Sequence, residues 1–97
     1  MRFEWNARKA AANLRKHGVS FDEAVTAFYD PLAATFGDPD HSIEEDRLIT
    51  VGHSTGGRLL FVSHIDGDDV IRLISARLAT RRERKRHEEA APGAEEG

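Results

Sequence analysis

The sequence contains no cysteine among its 97 residues. Disulfides and thiolate metal sites are therefore excluded, although a secreted domain of this size usually needs such a cross-link. No stretch approaches the length of about eighteen apolar residues that a membrane span requires. Glu4 also interrupts the start of the chain, where a signal peptide would become apolar. We therefore expect a cytoplasmic protein that does not contact a membrane.

The chain also lacks an excess of positive charge, because 14 Lys and Arg residues are outnumbered by 17 Asp and Glu residues. Nucleic-acid binding depends on how charge is distributed, and here the two signs are segregated along the chain. Such a chain can present a basic surface to RNA while its acidic segments contact water or a basic partner. One basic block contains Arg8, Lys9, Arg15 and Lys16, and the other contains Arg77, Arg81, Arg82, Arg84, Lys85 and Arg86.

Length and composition predict a single globular domain. The chain is 39% hydrophobic and 32% charged, which is ordinary for a folded domain of about one hundred residues. We assign residues 1–89 to this domain. The remaining residues, 90–97, are small, acidic or helix-breaking and are predicted to be disordered.

The N-terminal third predicts two helices. Asn6 is a favourable N-cap for a helix over residues 7–16, and Gly18 is the expected residue just past its end. A capping box from Ser20 to Glu23 begins a second helix, which is expected to end before Pro31.

After the second helix the hydrophobic period changes from about 3.6 residues to about 2, which indicates strands. Short turns separate the last three strand candidates and predict an antiparallel meander. A second capping box, Thr80 to Glu83, begins a final helix that fades near Glu89. The predicted class is therefore α+β, with helices on one sheet face and the other face open for function. The strand candidates cover residues 32–36, 47–53, 58–64 and 70–77.

Arg72 and Arg77 lie on the last predicted strand, and their odd separation places them on opposite faces of an ideal strand. A β-bulge or a strand end near Ser75 and Ala76 is required to bring both to one site. The sequence leaves this point open.

Two groups of residues have the chemistry that RNA cleavage without a metal requires, namely proton transfer and cations for the developing phosphate charge. The first is Lys16-His17-Gly18 at a predicted helix end, and the second is Arg72, Arg77 and Arg81 at the junction of strand and helix. Imidazole exchanges protons near neutrality, and guanidinium binds phosphate oxygens in pairs. Helix-dipole stabilisation explains the first group equally well, and a solvated charged surface is the alternative for the second.

Metal and base-stacking hypotheses are less favoured. His53 and His64 are on adjacent strand candidates but lack a third ligand at a suitable spacing. The acidic segment 38–46 matches no standard calcium loop, so we expect neither a metal nor another cofactor. Phe3 and Trp5 are more typical of core residues than of a surface that stacks bases.

Several short motifs follow one another in a fixed order along residues 3–89. They include Phe3-Glu4-Trp5-Asn6, Lys16-His17-Gly18-Val19-Ser20-Phe21, Asp30-Pro31-Leu32, Asp38-Pro39-Asp40-His41-Ser42 and Ile74-Ser75-Ala76-Arg77. Together they resemble the BrnT toxins of type II toxin–antitoxin systems. The resemblance implies a RelE-like ribonuclease that inhibits translation and acts on RNA, free or on the ribosome. It also implies neutralisation by a BrnA-like ribbon-helix-helix antitoxin, through which alone operator DNA is bound.

The resemblance also implies roles for individual residues. Lys16 and His17 are the candidates for proton transfer and phosphate contact, and Arg77 and Arg81 are the candidates that stabilise the transition state. Asn6 stands where the family commonly has aspartate, and either residue caps a helix. We expect further RNA contacts from Arg15, Arg72 and Arg82.

Two functions of other classes are also compatible with the sequence. A non-catalytic nucleic-acid-binding module would use the basic blocks without cleaving RNA, and would show only salt-sensitive binding. A partner-binding module would use the open sheet face and would be indifferent to the loss of His17.

Overall fold

The computed structural model describes residues 1–40 and 46–90. In this part of the chain three helices accompany a five-stranded sheet, which confirms the predicted α+β class. Residues 41–45 of the acidic segment and 91–97 of the predicted tail lie outside the described residues. The elements are β1 Arg2–Glu4, α1 Ala7–His17, α2 Phe21–Ala27, β2 Ala34–Gly37, β3 Arg47–His53, β4 Leu59–Gly67, β5 Val70–Leu78 and α3 Arg81–Ala90.

The strands are ordered β1-β5-β4-β3-β2 across the sheet. Strands β3, β4 and β5 form the antiparallel meander that the short turns predict. Strand β2 also pairs antiparallel with β3, whereas β1 pairs parallel to the start of β5. Strand β1 was not predicted, because three residues are too few to show a period of two. Its addition makes the sheet mixed.

The predicted caps form at both N-terminal helices. The Asn6 side chain accepts the amide hydrogens of Arg8 and Lys9, and Gly18 adopts the left-handed conformation with φ of 69°. Ser20 Oγ accepts the Glu23 amide, as in a capping box.

Helix α2 ends at Ala27, earlier than Pro31 alone suggests. The next three residues continue as tight turns, in which Phe28, Tyr29 and Asp30 each donate a backbone hydrogen bond three residues back. This tighter winding is common at helix C-termini and explains the shortened helix.

The hydrophobic core lies between α2 and one face of the sheet. Phe21 and Ala24 of α2 pack with Leu60, Val62 and Leu73 of β4 and β5, all of them buried. The two N-terminal aromatic residues pack against this core, which confirms their predicted role. Phe3 meets Phe28 and Trp5 meets Phe21 in edge-to-face contacts, with centroids 5.1 and 5.8 Å apart.

Helix α1 lies along the edge of β5 and is held there by the buried side chain of Asn13. Strand β1 pairs with β5 only as far as Arg72, so the later part of this edge has no strand partner in the described sheet. There Asn13 accepts the Ala76 amide at 3.1 Å and donates to the Ala76 carbonyl at 2.8 Å. It also donates to the Val19 carbonyl at 3.0 Å. Asn13 therefore replaces a strand partner and fixes the C-terminal end of α1 beside β5.

Replacing Asn13 with alanine is expected to lower the free energy of unfolding by about 2–4 kcal/mol, because buried backbone groups of Ala76 and Val19 lose their partners. Urea denaturation measures this change. Asn6→Ala is the matched control on the same helix, since loss of an exposed N-cap costs about 1 kcal/mol. An Asn13→Ala cost no larger than that of Asn6→Ala would contradict the assigned role.

Candidate active site

A β-bulge in β5 sets which side chains share the sheet face opposite the core. Ser63 pairs with Ser75, whereas His64 pairs with Leu73, so Ile74 is an extra residue in β5. The bulge reverses the alternation of faces along the strand. Arg72 and Arg77 therefore lie on the same face, and of the two alternatives left open by the sequence it is a bulge that brings them there.

A cleft of about 150 Å³ opens on this face, at the end of α1. His17 enters it from the last residue of α1, and Arg77 enters it from β5. The contacts of Asn13 and the turn at Gly18 hold α1 against β5. They therefore bring His17 and Arg77 together, although these two residues are far apart in sequence. The remaining lining residues are Ile49, Phe61, Ser63 and Ser75.

Arg77 is held in a defined orientation. Its Nη1 donates to Glu83 Oε1 at 2.8 Å, and its Nη2 donates to Glu83 Oε2 at 2.9 Å. The guanidinium carbon lies 4.6 Å from the centroid of the Phe61 ring, within the range of a cation–π contact. The side chain nevertheless remains 41% exposed, so a ligand in the cleft can reach it.

Glu83 is itself fixed by the capping box that begins α3. Its amide donates to Thr80 Oγ1 at 3.1 Å, and its Oε1 accepts the Thr80 amide at 2.9 Å. The hydrogen bonds from Arg77 are the main reason that the pKa of Glu83 falls to about 2, against the opposing effect of burial. Glu83 is therefore ionised at neutral pH and is a poor proton donor. Among the residues that line the cleft, His17 has the side chain type suited to proton exchange near neutrality.

The other candidate site residues do not line this cleft. Arg15 and Lys16 are exposed on the last turn of α1, and Arg72 is exposed on the same sheet face as Arg77. Arg81 and Arg82 lie on a separate surface groove of α3, together with Lys85, Arg86 and Glu89. The structure thus brings His17 and Arg77 together and distributes the remaining cations around them.

Several residues of the cleft were not predicted from the sequence. Phe61 and Ser63 alternate along β4 with the core residues Leu60 and Val62. This period of two indicates that Phe61 and Ser63 face away from the core, on the side of the cleft. The contact between Glu83 and Arg77 has no such signal, because it depends on the direction in which α3 leaves the sheet.

Helix α3 departs from the expectation that all helices pack on one sheet face. It borders a groove of about 350 Å³ over the face opposite the core, lined by Phe36, Val51 and Phe61 of the sheet and by Arg86 and His87 of the helix. No residue of α3 is buried. The Arg77–Glu83 ion pair supplies the physical reason, because it joins the first turn of α3 to the face on which Arg77 lies.

The two strand histidines point to different surroundings. His64 is buried, with Nε2 2.7 Å from Thr50 Oγ1 and Nδ1 2.7 Å from Asp66 Oδ1. Burial lowers the pKa of His64, although the bond to Asp66 opposes this shift. His53 instead contacts Asp30. Within residues 1–40 and 46–90, no group of three or more His, Asp or Glu residues is arranged to hold a metal ion.

In the described part of the chain, no helix combines the length and the apolar character needed to cross a membrane.

Comparison with known proteins identifies the family. Residues 5–83 match the family described as the ribonuclease toxin BrnT of type II toxin–antitoxin systems. The crystal structure of the Brucella abortus ribonuclease toxin BrnT is similar to this chain, with a TM-score of 0.67 and 24% sequence identity over 84% of this chain and 99% of that one. This likeness shows a shared fold. No curated protein matches the sequence. Because the family match spans most of the chain, the chain belongs to the BrnT family of type II toxin–antitoxin ribonuclease toxins.

Proposed function

We propose that this chain is a metal-independent endoribonuclease that cleaves RNA in the His17–Arg77 cleft and thereby inhibits translation. The observation that carries the proposal is the meeting of an imidazole and an oriented guanidinium in one cleft. These two groups supply proton transfer and charge stabilisation from the protein itself.

The reaction is transfer of the phosphodiester to the neighbouring ribose hydroxyl. The 2′-oxygen forms a bond to phosphorus as it loses its proton, and the bond from phosphorus to the 5′-oxygen breaks as that oxygen gains a proton. The products are a 2′,3′-cyclic phosphate and a 5′-hydroxyl. His17 exchanges one of these protons, and Arg77 stabilises the charge that develops on the phosphate oxygens. The Ser63 and Ser75 hydroxyls, on the same cleft wall, are available to donate hydrogen bonds to those oxygens.

The cations around the cleft extend the proposed RNA-binding surface. Arg15 and Lys16 lie on the α1 side, Arg72 lies on the sheet, and Arg81 and Arg82 lie on α3. Because Arg81 lines the α3 groove and not the cleft, we assign it a contact with the RNA backbone in place of the transition state. Because base-independent contacts of this kind are electrostatic, binding is expected to weaken as salt increases.

We also propose the partners and the setting that accompany this activity. The antitoxin is a BrnA-like ribbon-helix-helix protein, and operator DNA is bound only through it. The toxin acts in the cytoplasm on RNA, free or on the ribosome, and residues 1–89 form its single functional domain.

A non-catalytic nucleic-acid-binding module is the second candidate function. The groove on α3 favours it, since Arg81, Arg82, Lys85 and Arg86 are concentrated there without any group that transfers protons near neutrality. Such a module would bind RNA and leave it intact.

The test is incubation of the purified chain with a defined RNA in excess EDTA, followed by analysis of the product ends. We expect fragments with 2′,3′-cyclic phosphate and 5′-hydroxyl ends. The matched control is the same RNA with a 2′-O-methyl group at the cleaved position, which lacks the attacking hydroxyl and should remain intact. Binding without cleavage would support the second candidate, and cleavage that required added Mg²⁺ would contradict the proposed chemistry.

A further inference from the structure

Glu83 has no role in proton transfer under the proposed function, yet it makes the closest charged contact to Arg77. We infer that Glu83 is a positioning residue for RNA cleavage, whose carboxylate fixes the Arg77 guanidinium over Phe61 at the cleft. This inference rests on the proposed function, because it requires Arg77 to stabilise the reacting phosphate.

The geometry of the ion pair between Glu83 and Arg77 fixes the orientation of the guanidinium. Two parallel N–H···O bonds to one carboxylate define the plane and direction of a guanidinium, which a single bond cannot do. The Phe61 ring supports the same group through its face. An arginine without these contacts samples many rotamers, and ordering it would add to the reaction barrier.

Glu83 is itself anchored by Thr80. As the third helical residue of α3, Glu83 forms two capping-box bonds with Thr80. These bonds hold the carboxylate in place independently of its contact with Arg77. A series of contacts therefore runs from Thr80 through Glu83 to Arg77 and ends at the cleft. Because both partners belong to the junction between β5 and α3, this junction is part of the site.

The negative charge of Glu83 also affects the binding of RNA. A carboxylate beside Arg77 offsets positive charge at the place where an RNA phosphate binds, and so weakens ground-state binding. Its removal is therefore expected to improve binding and to impair orientation. Improved binding lowers KM, and impaired orientation lowers kcat. A loss of stability alone does not lower both constants.

The test uses Glu83→Gln in the full chain, with kcat and KM measured for RNA cleavage. Glutamine keeps the capping box but loses the charge and the second acceptor. We expect kcat to fall by about tenfold or more and KM to fall by about twofold or more. Glu83→Asp keeps the charge on a shorter side chain, so its kcat should fall while its KM does not fall.

Glu23→Gln is the matched control. Glu23 is also the third residue of its helix, donates its amide to the N-cap residue Ser20 and accepts bonds from Arg58 through both carboxylate oxygens. Neither Glu23 nor Arg58 lines the cleft, although Arg58 also donates to the Gly18 carbonyl beside His17. This control therefore reports whether loss of a comparable ion pair near the end of α1 is sufficient to slow cleavage. We expect its kcat and KM to remain at the wild-type values.

The outcomes separate this inference from the proposed function. If the wild-type chain cleaves RNA and both Glu83 variants retain its kcat and KM, the positioning role is wrong and the function stands. If Glu83→Gln and Glu23→Gln slow cleavage equally, the effect is structural and the inference is also wrong. If the wild-type chain leaves RNA intact under the same conditions, the proposed function itself is wrong.

Discussion

Replacing Arg77 with alanine is expected to slow RNA cleavage by about a hundredfold to a thousandfold, the usual cost of losing one oriented transition-state donor. Arg77 is the cation of the cleft, and its two terminal nitrogens are already held in a fixed plane by Glu83. Initial rates on a defined RNA measure the effect. In growing cells, the same variant should no longer arrest growth when it is expressed without an antitoxin.

Two further variants show whether the slower cleavage of Arg77→Ala is due to the loss of charge or to the loss of the planar guanidinium. Arg77→Lys keeps the charge but loses the planar fork, so we expect it to remain closer to the alanine variant than to wild type. Arg82→Ala removes an equal charge from the α3 groove, outside the cleft. It should weaken binding in a salt-dependent manner and leave the saturated rate intact. Equal losses in Arg77→Ala and Arg82→Ala would show that Arg77 contributes only general electrostatic attraction.

Replacing His17 with alanine is expected to slow cleavage by about a hundredfold to ten-thousandfold, the typical contribution of a positioned general acid or base. Phe61, Ile49 and the serines of the cleft do not exchange protons near neutrality, so no other lining residue can substitute for it. The variant should fold normally, because His17 ends α1 whereas Asn13 provides the buried contacts that hold the helix.

His53→Ala is the matched control for His17. His53 is 42% exposed, contacts Asp30 and lies outside the cleft. Its loss should leave the cleavage rate near the wild-type value. If His17→Ala also cleaves at the wild-type rate, proton transfer at this position is excluded.

The fold was largely predictable because its signals are local. Asn6, Gly18 and the Ser20 to Glu23 box each satisfy backbone groups within a few residues, so the ends of α1 and the start of α2 follow from the sequence. Strand β1 depends instead on pairing with the distant strand β5. Such interactions leave no period or cap in a short segment.

The site was predictable only in part, for a similar reason. His17 and Arg77 stand out by residue type and position, but their meeting depends on Asn13, which binds the backbone of a residue far along the chain. The odd separation of Arg72 and Arg77 indicated only that a bulge or a strand end would be needed for a shared face. The bulge at Ile74 itself is seen in the pairing of β5 with β4. The direction of α3 could not be predicted, since this helix has no buried face to indicate how it packs. The contact between Glu83 and Arg77, and the separation of Arg81 from the cleft, both follow from that direction.

The most direct measurement is single-turnover cleavage of one end-labelled RNA in excess EDTA by the wild-type chain, His17→Ala and Arg77→Ala, beside His53→Ala and Arg82→Ala. A catalytic His17–Arg77 cleft predicts that, at saturating protein, the wild type and both controls cleave fast to 2′,3′-cyclic phosphate ends, and that the two cleft variants cleave at least about a hundredfold more slowly. Equal cleavage rates in all five proteins, or intact RNA with the wild type, would contradict it.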